Sequence, residues 1–252
     1  MTDSSDYKAV LLDIEGTVTP IEFVYEVLFP YAQRELQSYL ERHWNNPEVR
    51  RDIDQIVDHI AQSARTGDHD LPALVDRDQT NIEAFRSAVI EHITWQMEND
   101  QKLTPLKRLQ GRMWRDGYQR GELVAPVFDD VPRAFERWNE AGLPIYIYSS
   151  GSVEAQKLLF EHTNHGDLLD YLSGYFDTTT GHKKESDSYA KIATEVDCAP
   201  GKILFVTDNL EEARAARTAS MQVAISQRPG NPTLPDHDFP VIESFDPLLE
   251  GL

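Results

Sequence analysis

The sequence predicts an α/β protein, an open parallel sheet with helices on its faces, interrupted early by an all-helical insert. Three observations lead there. Short apolar runs end in small or polar residues: AVLLDI, LPIYIYSS, KILFVTDN and, more weakly, MQVAIS. Continuous apolar runs of this kind suit parallel strands covered on both faces. Helical segments alternate with the later runs, and residues 21–123 carry helical periodicity with no convincing strand.

In chain order, AVLLDI is the first strand. FVYEVLFPYAQRELQSYLERHW then spaces its apolar residues three and four apart, with Pro30 placed to kink or split it. Pro47 opens a helix running to Ala64. TNIEAFRSAVIEHITWQMEND and PLKRLQGRMWRDGYQRG complete the insert. Within it Trp95, Met97, Trp114 and Tyr118 either wall a pocket or fill the core, and the core is favoured. VPRAFERWNEAG is a helix with Gly142 at its C-terminal end, followed by LPIYIYSS and the helix SVEAQKLLFEHT. SDSYAKIATEVD precedes KILFVTDN, and NLEEARAARTAS follows it. The tail from Pro229 is expected to run over the surface, with FPVIESF as an edge strand. The resulting division is residues 1–20 plus 124–252 for the α/β core and 21–123 for a helical cap.

Composition bounds the function. With 252 residues, 40% of them hydrophobic, the chain can bury a substantial core. A formal net charge of −19 disfavours generic binding to nucleic acid or anionic membrane, and the basic residues are interleaved with acids. Cys198 is the single cysteine, so no intrachain disulfide can form. The start, MTDSSDYKAV, lacks the basic-then-apolar order of a signal peptide. No run approaches the roughly 18 apolar residues of a membrane span. A soluble, cytoplasmic protein acting on a small molecule is expected.

Open α/β sheets build their sites at the carboxyl ends of the strands. The polar residues at those ends are Asp13 and Glu15; Ser149 and Ser150; and Thr207, Asp208 and Asn209. Lys183 and Lys184 lie in the loop TTTGHKKES. Each piece alone has an ordinary explanation: a turn with solvated acids, helix caps, two solvent-facing lysines. Together they supply carboxylates, hydroxyls and an ammonium, the groups that a Mg²⁺-dependent phosphoryl transfer requires. Two acids at alternate positions of a strand face opposite ways, so the chain must turn after Asp13 if both are to serve one centre. Gly16 permits that turn.

The succession DIEGT, YSSGS, GHK and FVTDN resembles the four motifs of the haloacid dehalogenase-like hydrolases. LLDIEGTVTPIEFV, LFPYA, LQGRMW, YIYSSGSVEAQKLLF and YFDTTTGHKKESDSY resemble, more narrowly, the enolase-phosphatases of methionine salvage, over nearly the whole chain including the cap. Glutamate at position 15, where most relatives of the wider group have aspartate, belongs to that narrower pattern. The resemblance implies a Rossmann-like core and conversion of 2,3-diketo-5-methylthiopentyl-1-phosphate to an acireductone by enolisation and then dephosphorylation. It implies Asp13 as nucleophile and metal ligand, and Glu15 as acid/base and as a metal ligand by side chain or backbone. Ser149, Ser150 and Lys183 would bind phosphate, Lys183 also neutralising the nucleophile. Asp208 would complete a site for one Mg²⁺ per subunit, with Glu211 or Glu212 behind it. A monomer with neither nucleic-acid nor membrane partner is the expected state. The motifs alone leave open a phosphatase for another metabolite, a dehalogenase, or a non-catalytic protein that keeps the fold. The base for enolisation is not identified by sequence; Glu15 is the candidate.

Overall fold

The computed structural model describes residues 7–65, 81–99, 101 and 103–250. Lys102, which the sequence of the helical insert offers as a weaker candidate for substrate contact, lies outside them. The chain forms two compact units, residues 1–25 with 123–252, and residues 26–122.

The first unit is a six-stranded, all-parallel sheet in the order β3-β2-β1-β4-β5-β6. Its strands are β1 (Ala9–Leu12), β2 (Ile145–Tyr148), β3 (Leu172–Phe176), β4 (Ile203–Thr207), β5 (Gln222–Ser226) and β6 (Val241–Ile242). β1 and β4 are buried along their whole length, as their unbroken apolar runs require. The chain winds outward from β1 through β2 to β3, then crosses to β4 and winds the other way. β1 and β4 are therefore neighbours at the point where the winding reverses, where such sheets open a crevice at their carboxyl ends.

β3 has no counterpart among the expected strands. Its sequence, LSGYF, lies at the sheet edge and is only partly buried, so no apolar run marks it. Gly174 lets this edge pack against the Tyr146 ring, which lies 3.1 Å from where a Cβ would stand. The short β6 is the other edge and falls within the expected FPVIESF segment. The tail departs from expectation: Phe239, Ile242, Phe245 and Leu248 are buried, and Tyr7 donates to the Leu248 carbonyl at 2.7 Å. The Phe245 ring packs 5.3 Å from that of Trp138. Proline-rich spacing obscured these apolar anchors.

The second unit is helical. A π-helical stretch, Phe23–Leu28, leads into it across the boundary between the units. Then come α1 (Phe29–His43), α2 (Pro47–Arg65), α3 (Ile82–Glu98) and α4 (Thr104–Gln119). Pro30 falls in the first turn of α1, where its missing N–H is harmless, so it separates the two helical forms. Leu36, Leu40, Ile53, Ile56, Phe85, Val89 and Leu109 form the core. Tyr118 is buried, while Met97 and Trp114 pack at the edge of that core. The Trp114 indole N–H donates to the Leu28 carbonyl at 2.8 Å. No helix among the described residues is long and apolar enough to cross a membrane.

Four helices complete the first unit: α5 (Asp130–Glu140), α6 (Val153–Glu161), α7 (Ser186–Glu195) and α8 (Leu210–Thr218). Ser152, rather than Ser149 or Ser150, caps α6. Asn209, rather than Asp208, caps α8, accepting from Glu211 and Glu212 N–H. Ser149, Ser150 and Asp208 are thus released from capping these helices and left for other work.

Candidate active site

Asp13 is the first residue beyond β1 and is buried. Its N–H continues the β1–β4 ladder by donating to the Val206 carbonyl at 2.9 Å, which fixes its backbone beside the end of β4. Its Oδ1 accepts from the Ile14 N–H at 2.8 Å and from Lys183 Nζ at 2.5 Å. Its Oδ2 faces the Thr207 hydroxyl at 3.2 Å.

Lys183 answers the ambiguity of the double lysine. It is 8% exposed and lies between two carboxylates, with Nζ 2.5 Å from Asp13 and 2.7 Å from Glu212. Lys184 points elsewhere, half exposed and paired with Glu211. The loop carrying Lys183 is held at three carbonyls. Tyr148 donates to Gly181, Ser188 to His182, and Tyr189 to Lys183 itself, at 3.0, 2.8 and 2.6 Å. The buried carboxylates on either side hold the Lys183 ammonium well above the usual lysine range, against the opposing effect of burial. The two tyrosines were invisible as site residues, because in sequence they read as ordinary members of a strand and a helix.

Glu212 distinguishes itself from Glu211 in the same way. It is one turn into α8, buried, and receives the Thr207 hydroxyl at 3.0 Å as well as Lys183. Burial and the Asp13 charge push its carboxyl up to about 7. Thr207 has one proton and two carboxylate neighbours, so a protonated Glu212 would leave that hydroxyl free to donate to Asp13.

Asp208 follows β4 directly. Burial first, then the charges of Asp13 and Glu15, push its carboxyl up to about 7. Gly16 has φ +68°, the left-handed region, and a Cβ there would collide with the Asp208 carboxylate. The turn after Asp13 therefore needs glycine both for its backbone and for the approach to Asp208. It also brings Glu15 back toward the second strand: the Ser149 hydroxyl donates to its carboxylate at 3.3 Å. Burial and Asp13 raise the Glu15 carboxyl as well. Ser149 is buried, whereas Ser150 stands exposed on the loop before α6.

Asp13 and Glu212 thus hold one ammonium between them, and the charges of Glu15 and Asp208 are felt in the same cluster. Among the described residues, no three His, Cys, Asp or Glu side chains meet as a ready metal cluster. The chemistry of the site nevertheless fits a hard divalent cation. Asp13 and Asp208 are two oxygen donors, and Mg²⁺ takes few protein ligands and fills the rest with water and phosphate. Burial first, and then the neighbouring carboxylate charge of Asp13, raises both Asp208 and Glu15, and a nearby cation would oppose both effects.

The family model of haloacid dehalogenase-like hydrolases matches residues 7–220. An enolase-phosphatase E1 of Xenopus tropicalis is 46% identical over 91% of this chain and 88% of its own length. One from Synechococcus elongatus is 46% identical over 95% and 96%. Among solved structures, the UTR4 protein of Saccharomyces cerevisiae matches at 33% identity and a TM-score of 0.76, covering 95% of this chain and 99% of that one.

Proposed function

Because this chain belongs to the haloacid dehalogenase-like hydrolases and, within them, to the enolase-phosphatases, we propose how its own residues divide the work of that activity. The chain is a phosphatase with enolase activity in methionine salvage. Its substrate is the small phosphorylated diketone 2,3-diketo-5-methylthiopentyl-1-phosphate. The observation that carries the assignment of roles is the buried Asp13 carboxylate held by Lys183 at the winding reversal of the sheet.

In the phosphatase half, a carboxylate oxygen of Asp13 attacks phosphorus and the bond to the substrate oxygen breaks, leaving an aspartyl-phosphate. Glu15 gives its proton to the departing oxygen. It then takes one from the water that hydrolyses the intermediate. A carboxyl raised above its ordinary value is suited to both duties, and burial and Asp13 provide that rise. Lys183 offsets charge at the nucleophile, and Ser149 and Ser150 hold the phosphate where the N-terminal end of α6 favours an anion.

Asp13, Asp208 and Glu15 would hold one Mg²⁺ per subunit, Glu15 through its main chain because its carboxylate is engaged by Ser149. When bound, the ion supplies Lewis-acid polarisation and charge neutralisation. In the enolase half, a proton leaves the carbon bearing the phosphate and the neighbouring carbonyl oxygen becomes the enol hydroxyl. We assign the base to Glu15. Full-rate enolisation by a Glu15→Gln variant would remove that assignment.

The test of the whole reading is stopped-flow ultraviolet spectroscopy of the diketo phosphate with parallel phosphate release. An enol that rises before phosphate appears, both requiring Mg²⁺, supports it. Hydrolysis of generic phosphate esters with no turnover of the diketone overturns the substrate. Within the same reading the protein is a cytoplasmic monomer, checked by light scattering and by fractionation of cells.

A further inference from the structure

The turn after Asp13 is held by a segment whose sequence carried no expected function. Ser226 ends β5, and SQRPGN continues from it to Asn231. The Gly16 carbonyl accepts from Ser226 Oγ at 3.1 Å and from Asn231 Nδ2 at 2.8 Å. The next carbonyl, that of Thr17, accepts from Arg228 Nε at 3.0 Å. Three side chains thus converge on two consecutive peptide groups.

Arg228 is built as a rigid post. It is 3% exposed, and its Nη1 donates to Asp130 Oδ1 at 2.9 Å and to the Glu243 carbonyl at 3.0 Å. The rings of Phe128 and Phe245 each lie 4.6 Å from the guanidinium carbon. A guanidinium fixed on several sides has little freedom left, so its remaining contact to Thr17 is directional. Asn231 is placed next to the chemistry. A Cβ on Gly16 would stand 2.9 Å from Asn231 Oδ1 and against the Asp208 carboxylate.

A glycine turn is also the place where backbone order is least secure. Peptide planes beside a glycine with positive φ can rotate between turn types at small cost. Two donors on the Gly16 carbonyl fix the plane joining residues 16 and 17, and the Arg228 donor fixes the next. Glu15 stands immediately before the first of these planes.

We infer that Ser226, Arg228 and Asn231 are positioning residues that lock the 16–18 backbone and so aim Glu15 for proton transfer. The inference rests on the roles proposed above for Asp13 and Glu15. It predicts a defect in kcat with substrate binding kept. Ser226→Ala and Asn231→Ala should each lower kcat about three- to tenfold, and the double variant about 30-fold or more. KM should stay within about twofold of the parent. Ser226→Thr keeps the hydroxyl and should retain kcat within about twofold. Arg228→Ala strands the buried Asp130 carboxylate and is not used.

Kinetics on the diketo phosphate, with melting curves confirming a folded enzyme at the assay temperature, decide the matter. Parent kcat in the double variant overturns the inference. So does a Ser226→Thr variant as slow as Ser226→Ala, or a loss accounted for wholly by unfolded protein. Asp13→Asn is measured alongside. If it still turns over, the underlying assignment of roles has failed; if it is inactive while the double variant is unimpaired, only the positioning inference has.

Discussion

Replacing Lys183 by methionine tests the site's electrostatics and its chemistry together. The parent ammonium lies 2.5 Å from Asp13 and 2.7 Å from Glu212, and all three groups are buried. Methionine keeps much of the side-chain volume and removes the charge, leaving two neighbouring carboxylates uncompensated. Removing one partner of a buried ion pair costs about 3–5 kcal/mol. The cost should depend on pH with a definite sign. The folded Glu212 carboxyl is already raised from 4.5 to about 7, and losing the lysine raises it further. A group that binds protons more tightly folded than unfolded stabilises the fold at low pH and gives that up as pH rises. The variant should therefore lie much closer to the parent at pH 5 than at pH 8. Urea denaturation at both values, in a chelator so that no metal compensates, measures this. With Mg²⁺ and substrate, the loss of charge stabilisation should lower kcat by about a hundredfold or more. A variant as stable as the parent at pH 8, or one retaining more than a tenth of its kcat, would refute the reasoning.

The metal-free parent should lose stability between about pH 4 and 7, because Asp208 and Glu212 both have raised folded values of about 7; added Mg²⁺ should raise the melting temperature more at pH 8 than at pH 5. Asp208→Asn should melt at or above the parent at pH 8 without metal, since it removes a poorly tolerated charge, yet lose activity about a hundredfold; a lower melting temperature with activity intact would count against the metal assignment. Gly16→Ala places a Cβ on a residue with φ +68° and against Asp208, so about 1–2 kcal/mol of backbone cost and a large fall in kcat are expected, and parent-level kcat in a folded variant contradicts this. Asp52 is buried in the helical unit and receives Arg108 at 2.7 Å and Arg112 at 3.3 Å. Asp52→Ala should cost about 1–3 kcal/mol by urea denaturation with kcat within about twofold of the parent.

The legible parts of the fold share one property. β1, β2, β4 and β5 are central strands covered on both faces, so each carries an apolar run that can be read without knowing its neighbours. β3 is an edge strand containing Gly174, and its identity depends on Tyr146 of the next strand. The tail hides its anchors, Phe239, Phe245 and Leu248, one at a time among prolines and acids. In the site, Asp13, Glu15, Ser149, Lys183 and Asp208 could be located because each follows a strand or sits in the glycine-containing loop before α7. Which lysine reaches Asp13, which glutamate backs Lys183, and that SQRPGN supports Gly16 are questions of three-dimensional approach. Adjacent residues such as Lys183 and Lys184 have the same chemistry and differ only in direction.

The whole-chain charge and the local charge raise one problem at two scales. A chain of net charge −19 must admit a phosphate, and its site adds two carboxylates paired with Lys183 and two more, Glu15 and Asp208, whose charges act on the same cluster. Diffuse surface charge is screened within about 8 Å at physiological salt, so it slows encounter more than it weakens binding. The buried cluster is not screened in that way. Glu15, Asp208 and Glu212 are all shifted upward, in each case by burial first and by the Asp13 charge second. A phosphate dianion entering that cluster alone would meet Asp13, the nucleophile proposed above, as a repelling charge. Lys183 offsets one carboxylate, and a divalent cation shared by Asp13 and Asp208 would offset two more. The cation proposed above at Asp13 and Asp208 would relieve that repulsion, and the pH dependence of stability without metal reads how strongly the cluster is strained by its own charge.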